Sequence, residues 1–453
     1  MASRSASPAP LKILDEVGLG ELPADWTIVR IEALLSDDRG ISVGVMYPGD
    51  HYPAGIPLIK AGDLVGSRIN PRPEFRITPE KHHEYRRTRL EGGELLVSLV
   101  GDVGRCAIVP HDMAGWNAAR AIAVLRFVDP SDAAFVRACL MSAPLQHLMQ
   151  AWATTTVQAT LNLKEIRQLP LPWPPKEQRI AIAHILGTLD RKIELNRRKN
   201  ETLEAIARAL FKSWFVDFDP VRAKADGRDP GLPQPLADLF PDSFEESALG
   251  EIPKAWTVGT VSTLADRIIE KVDDPADWAE EHLIDLSRMP QRSIALSDWG
   301  AGAELSTSVT RFQTRDTLFG AIRPYFHKVG LAPVAGVTNI SVFVVRPKKP
   351  ADWPFVAIFC SMGDTVDYAT RVSKGTKMPV VSWTDFAESS LVVPNDDVRS
   401  RFNQTVGPLC DRIVAHVVES RTLAATRDSL LPKLISGELR IEGPTDFPDR
   451  SPQ

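Results

Sequence analysis

The sequence predicts an α+β protein: two mixed α/β domains in tandem, separated by two long helices that pair within the chain as a coiled coil. Three observations carry this prediction. The chain repeats its own motifs at a nearly constant spacing. Each copy runs from Gly/Pro-punctuated apolar stretches into a polar, helix-favouring segment. The two helical segments carry matching heptad seams.

The repeat is read directly from the residues. Leu22-Pro-Ala-Asp-Trp-Thr27 recurs as Ile252-Pro-Lys-Ala-Trp-Thr257, a shift of 230 positions. Gly93-Glu-Leu-Leu-Val97 with Gly104-Arg-Cys-Ala-Ile-Val-Pro110 has a weaker echo in Arg315-Asp-Thr-Leu-Phe319 with His327-Lys-Val-Gly-Leu-Ala-Pro333. Residues 186–211 align without a gap on 406–431 at a shift of 220. Gly187, Leu189, Ile193, Thr202, Leu203, Ala205 and Leu210 then fall on identical residues. The shrinking shift means that the second copy has a shorter middle.

Within each copy, Leu95-Leu-Val-Ser-Leu-Val100 and Ile340-Ser-Val-Phe-Val-Val345 read as buried strands between turns. Prolines close the domains: Pro170, Pro172, Pro174 and Pro175 in the first copy, Pro394 in the second. The expected organisation is a tail (1–20), a first domain (21–173), a helix and linker (174–250), a second domain (251–394), a second helix (395–440) and a tail (441–453). In the first helix Ile182, Leu186, Leu189, Ile193, Asn196, Asn200, Leu203, Ala207 and Leu210 alternate four and three apart. The matching seam is Phe402, Val406, Leu409, Ile413, His416, Ser420, Leu423, Arg427 and Leu430. One apolar stripe alone describes a surface helix, but two matched stripes favour pairing with each other.

Composition sets the outer bounds. A chain of 453 residues exceeds one ordinary core. No apolar run approaches the roughly 18 residues that span a bilayer, and the first residues lack the apolar stretch of a secretory signal. Cys106, Cys139, Cys360 and Cys410 are scattered without metal-ligand spacing and suit reduced thiols in a cytoplasm. The net charge of −5 argues against a generic nucleic-acid binder. Residues 60–89 stand apart, with eight Lys/Arg against four Asp/Glu, a local +4 that fits a solvated face as well as a phosphate-facing one.

The block Leu171-Pro-Trp-Pro-Pro-Lys-Glu-Gln-Arg-Ile180, then Leu189-Asp-Arg-Lys-Ile193 and Thr202-Leu-Glu-Ala-Ile-Ala-Arg-Ala-Leu-Phe-Lys-Ser-Trp-Phe-Val-Asp-Phe-Asp-Pro220, resembles the DNA-specificity subunit of type I restriction–modification enzymes. Phe240-Pro-Asp-Ser-Phe244, Leu249-Gly-Glu-Ile-Pro253 and Arg427-Asp-Ser-Leu-Leu-Pro-Lys-Leu-Ile-Ser-Gly437 extend the resemblance over nearly the whole chain. Arg427 in the second seam and the missing Pro-Pro-x-x-Gln pattern before the second helix depart from it.

The resemblance implies two target-recognition domains, each reading half of a bipartite site in double-stranded DNA, about a pseudo-twofold axis. The helices, antiparallel, would set the spacing and dock two methyltransferase subunits. Those partners would carry S-adenosylmethionine and methylate adenine, and restriction/translocase subunits would bring ATP and Mg. In the family a loop just before the closing strand approaches DNA. Here that is Thr154, Thr155, Thr156, Gln158 and Asn162, and in the second copy Arg371, Ser373, Lys374, Gly375, Thr376 and Lys377. Lys60, Arg68, Arg86, Arg87, Arg323, Tyr325 and Lys328 form a second tier, beside Arg311, Arg315 and His327. Antiparallel pairing puts Asn196 opposite Ser420 and Asn200 opposite His416, with Leu186 on Leu430, Ile193 on Leu423, Leu203 on Ile413, Leu210 on Val406, and Leu189 awkwardly on Arg427.

Catalytic motifs are missing from the sequence. There is no GxxxxGK[ST] phosphate loop, and Ser373-Lys-Gly-Thr376 does not make one. Asp273-Asp-Pro-Ala-Asp-Trp278 has the wrong spacing for an adenine methyltransferase motif. Glu94 and Asp316 sit in turns leading into strands, where structural roles dominate, and His184 and His416 stand alone. The expectation is a chain that is not an enzyme, holds no metal and binds no cofactor of its own. A coiled-coil scaffold that organises protein partners without reading DNA is the alternative.

Overall fold

The computed structural model describes residues 22–36, 40–155, 159–272, 274–305 and 308–441. The chain forms two compact units, Met1–Arg191 with Leu423–Gln453, and Lys192–Thr422. Each unit therefore holds one mixed α/β domain with part of both long helices, α4 (Lys176–Phe215) and α8 (Asp396–Ser436).

In the first unit β1 (Thr27–Arg30) pairs antiparallel with β6 (Pro170–Trp173), which closes the domain. Between them lies a sheet in the order β2 (Ile41–Val43), β5 (Ile122–Leu125), β3 (Leu95–Ser98), β4 (Cys106–Ile108). The strands β3 and β5 are buried throughout. Their alternate side chains enter different cores, as the period of two requires. Leu95, Val97, Ala123 and Leu125 face α1 (Asp132–Leu140), α2 (Ala143–Trp152) and α4; Leu96, Ala107, Ile122 and Val124 pack on Ile59, Leu64 and Leu90. A short helix α3 (Leu163–Gln168) precedes β6.

The second unit repeats this plan. There, β7 (Thr257–Thr260) pairs with β12 (Ser390–Val393), around a sheet in the order β8 (Ala265–Ile268), β11 (Val342–Pro347), β9 (Thr317–Gly320), β10 (Val329–Leu331). Helices α5 (Trp353–Cys360), α6 (Gly363–Val372) and α7 (Trp383–Ala387) follow in the same order. Phe319, Phe343 and Val345 enter one core while Leu318, Val342 and Val344 enter the other. One expectation fails here. Ile340 is not in the strand: it is 77% exposed, in a turn where Asn339 Oδ1 accepts from Ser341 N, and β11 starts only at Val342.

The sequence motifs explain their own positions. Trp26 Nε1 donates to Gln178 Oε1 at 3.0 Å, tying the opening of the first domain to the start of α4. Phe211, Trp214 and Phe215 build the aromatic core of the second unit, with Phe215 5.0 Å from Phe402 and 5.1 Å from Phe355, ring centre to ring centre. In both units an acid at the start of the first domain helix is held by an arginine of a long helix. Arg179 Nε donates to Asp132 Oδ1 at 3.0 Å, and Arg399 Nε lies 3.0 Å from Asp352 Oδ2.

The long helices run antiparallel in each unit. In the first, Ile182 and Leu186 share a core with Leu430, Leu431, Leu434 and Ile435. In the second, Asn196 Nδ2 donates to Ser420 Oγ at 3.3 Å and to Glu419 Oε2 at 2.7 Å. Asn200 Oδ1 meets His416 Nδ1 at 2.8 Å while Asn200 Nδ2 donates to the Ile413 carbonyl, so His416 carries its proton on Nδ1. Burial, then Arg412 and Lys199, hold His416 below the usual histidine pKa. Farther along, Ala207 and Phe211 pack with Phe402, Val406, Cys410 and Ile413, with Leu203 and Leu210 partly buried against them. Leu189, Ile193, Leu409 and Leu423 are half-buried along the two seams. Arg427 does not point into the seam: its Nη1 donates to Asp190 Oδ1 at 2.8 Å, and Asp190 Oδ2 accepts from Arg137.

Candidate nucleic-acid interface

The loops singled out by sequence form one edge in each unit, built by the same hydrogen bonds. In the second unit Ala321 N donates to the Ser341 carbonyl and Val381 N to the Ala321 carbonyl, at 2.8 and 3.0 Å. Arg323 N donates to the Pro379 carbonyl at 2.7 Å, and Ile322 bridges Val380. In the first unit Leu99 N donates to the Ala121 carbonyl, Leu161 N to the Leu99 carbonyl and Gly101 N to the Ala159 carbonyl, and Val100 bridges Thr160. The position held by Gly101 (φ 79°) in one copy is held by Arg323 (φ 49°) in the other.

The edge of the second unit is basic. Lys374 and Val380 exchange two backbone hydrogen bonds of 2.9 Å, closing a hairpin with Gly375 at φ 110° in its turn. Lys377 and Thr376 are exposed at its tip, and Arg371 leads into it from the end of α6. Lys374 is 83% exposed, its Nζ 3.5 Å from Asp385. Arg323 Nη2 donates to the Lys377 carbonyl at 3.3 Å, and its Nε is buried without a partner. Tyr325 is 48% exposed beside Phe326. Arg323 and Tyr325, read as a second tier, thus join the hairpin that carries Lys374 and Lys377.

Other residues of the second tier are engaged elsewhere. Lys328 Nζ donates to the Leu286 carbonyl, Arg311 pairs with Glu281, and Arg315 forks onto Asp411. His327 is buried with Nε2 at 2.9 Å from the Ser361 carbonyl, and desolvation lowers its pKa. Ser373 Oγ donates to the Thr370 carbonyl. In the first unit Thr154–Thr155 pairs with Ala159–Thr160, and Asn162 is exposed at the start of α3; Thr156 and Gln158 lie outside the described residues, as does Asp273. Lys60 lies over the Phe75 ring at 3.8 Å, Arg68 is half-buried in a two-residue strand, and Arg86 and Arg87 are exposed in a 3-10 turn. Glu94 accepts from Glu91 N, Gly92 N and Arg126, and Asp316 from Gln313 N and Arg346, so both acids staple strands.

A left-handed backbone costs a residue with a Cβ about 1–2 kcal/mol, so Arg323 holds a strained position that its counterpart fills with glycine. Arg323→Gly is therefore expected to leave the fold as stable or up to about 1 kcal/mol more stable while weakening DNA binding. Thermal melting and a binding titration of the same variant check both. A variant that binds as well as the parent would show the arginine to be idle.

Sequence reasoning missed Arg120 and Met378, both exposed on these edges. The 220-residue shift, extended to Arg120, would have set it against Ile340. Among the described residues no group of three or more His, Cys, Asp or Glu is placed to hold a metal ion, and no helix is long and apolar enough to cross a membrane.

Residues 51–205 match the model of the type I restriction modification DNA specificity domain. The chain is 23% identical over 448 residues to the type I restriction enzyme MjaIX specificity subunit of Methanocaldococcus jannaschii, covering 94% of this chain and 96% of that one. It is 27% identical over 335 residues to the HindI specificity subunit of Haemophilus influenzae, covering 62% and 71%. Among solved structures, the type I restriction–modification S subunit from M. genitalium has the same fold, with a TM-score of 0.53 at 15% identity over 92% of this chain and 97% of that one. The tandem α/β plan and paired long helices are a fold shared with a type I restriction–modification S subunit, and over nearly its whole length the chain is similar to a type I restriction enzyme specificity subunit.

Proposed function

We propose that this chain is the sequence-reading subunit of a type I restriction–modification complex and performs no chemistry itself. Each target-recognition domain reads one half of a bipartite site, and the paired helices set the spacing and dock two methyltransferase subunits. S-adenosylmethionine belongs to those partners, and ATP and Mg to the restriction subunits. The observation that carries the reading is the duplicated edge. The same ladder presents Asn162 beside the Thr154–Thr155 hairpin in one unit and Arg323, Tyr325, Arg371, Lys374, Thr376 and Lys377 in the other. Arg and Lys supply phosphate contacts, and Asn, Thr and Arg supply base-edge donors and acceptors. Of the first domain's second tier, the exposed Arg86 and Arg87 serve as further phosphate contacts.

Salt titration of DNA binding by the assembled methyltransferase tests this. Log K should fall steeply with log salt, and removing one lysine–phosphate pair should flatten the slope by about 0.9. Lys374→Ala with Lys377→Ala is therefore expected to flatten it by about 1.8 and to weaken binding alike on all sequences. An unchanged slope means that the hairpin meets no phosphate, and a complex that prefers no DNA sequence refutes the reading.

A further inference from the structure

The two edges differ most sharply at one equivalent position. Arg120 precedes Ala121, whose carbonyl accepts from Leu99 N; Ile340 precedes Ser341, whose carbonyl accepts from Ala321 N. Both are exposed, and no hydrogen bond or ion pair engages the Arg120 guanidinium among the described residues. Ile340 has company: Met378 is 54% exposed and Val380 39%, on the same ladder as Arg323, Lys374 and Lys377. Scattered apolar residues on a surface are ordinary, but Met378 and Val380 lie in the basic hairpin itself, and neither they nor Ile340 belong to the core of the unit.

A DNA edge offers such residues a defined counterpart. The only apolar group in the major groove is the thymine 5-methyl, and the commonest partner of an unengaged arginine there is the O6/N7 edge of guanine. Resting on the DNA-reading function above, we propose that Arg120 and Ile340 are equivalent specificity-determining residues, Arg120 selecting a guanine in one half-site and Ile340 a thymine methyl in the other. Duplication then supplies one reading position with two chemistries, each next to a residue held by the same backbone hydrogen bond of its ladder.

The test uses the methyltransferase complex on its own target, mapped by sequencing methylated bases. Each thymine in the target is replaced in turn by uracil, which lacks only the methyl, and each guanine by 7-deazaguanine, which lacks the N7 acceptor. One thymine-to-uracil change should weaken binding about fourfold, the effect of one buried methyl, and Ile340→Ala should abolish that difference. In the other half-site one 7-deazaguanine should cost about tenfold, and Arg120→Ala should be indifferent to it. Both residues are exposed, so unchanged melting temperatures certify the folds. The assignment is overturned if Ile340→Ala keeps its sensitivity to uracil, or if Ile340→Ala weakens every sequence equally, as a wedge between bases would. Absence of any bipartite target refutes the DNA-reading function itself, which is a separate result from a mapped target insensitive to these replacements.

Discussion

Replacing Arg179 by Ala is expected to destabilise the first unit by about 3–5 kcal/mol, the cost of leaving a buried carboxylate without its partner. Arg179 and Asp132 are both buried, joined at 3.0 Å. The guanidinium also donates from Nη1 to the Pro174 carbonyl at 2.8 Å and lies over the Trp173 ring at 4.0 Å. One side chain thus ties the first turn of α4 to β6 and α1. Removing both charges together, in Arg179→Met with Asp132→Leu, should recover most of the loss, since an apolar pair carries no desolvation penalty. Hydrogen exchange of β3 amides reports on the core behind this contact. Equal losses in the single and double variants would assign the effect to packing on Trp173 instead. Arg399 repeats the design on Asp352, where Asn403 Nδ2 also donates to the acid at 2.9 Å.

How far the sequence revealed this depends on how far each interaction reaches along the chain. The seams of α4 and α8 were legible because heptad spacing is local, and so was the polar layer of Asn196, Asn200, His416 and Ser420. The buried strands β3 and β11 announced themselves as apolar runs, the second from Val342 on. The pairs Arg179–Asp132 and Arg399–Asp352 join residues 47 apart, and no local pattern marks them. The repeat shift, applied to Arg179 and Asp132, lands on Arg399 and Asp352, so duplication held the signal that periodicity lacked. Ile340 was misplaced for a related reason. A β-branched residue before Val342-Phe-Val-Val345 extends the strand pattern by period alone, whereas the Asn339 side chain turns the backbone before the strand begins. The joining of Arg323 to Lys377 depends on a bridge between Ile322 and Val380, which neither segment encodes by itself.

Exchanging residues 251–394 for the matching region of a relative with a different target should change one half of the methylated site and leave the other half and the spacing intact. The boundaries suit such an exchange. Thr257 lies opposite Val393 in the ladder of β7 and β12, so the two ends of the exchanged segment are neighbours within the second unit and carry their pairing with them. Trp256 and Phe355 pack on Phe215, with ring centres 5.9 and 5.1 Å away, so the incoming segment must keep aromatic residues at those places to seat on α4. The edge formed by Ala121, Leu99, Leu161 and the Thr154–Thr155 hairpin belongs to the first unit and is untouched. Both long helices keep their length, at about 1.5 Å per residue, so on the proposed reading the spacing of the site stays the same. The readout is the sequence context of methylated adenines in cells carrying the parent or the exchanged gene. If both halves of the site changed together, each domain would be contributing to both, and one domain per half-site would be wrong. If the spacing changed while both halves stayed, the determinant of spacing would lie inside residues 251–394 and not in α4 and α8.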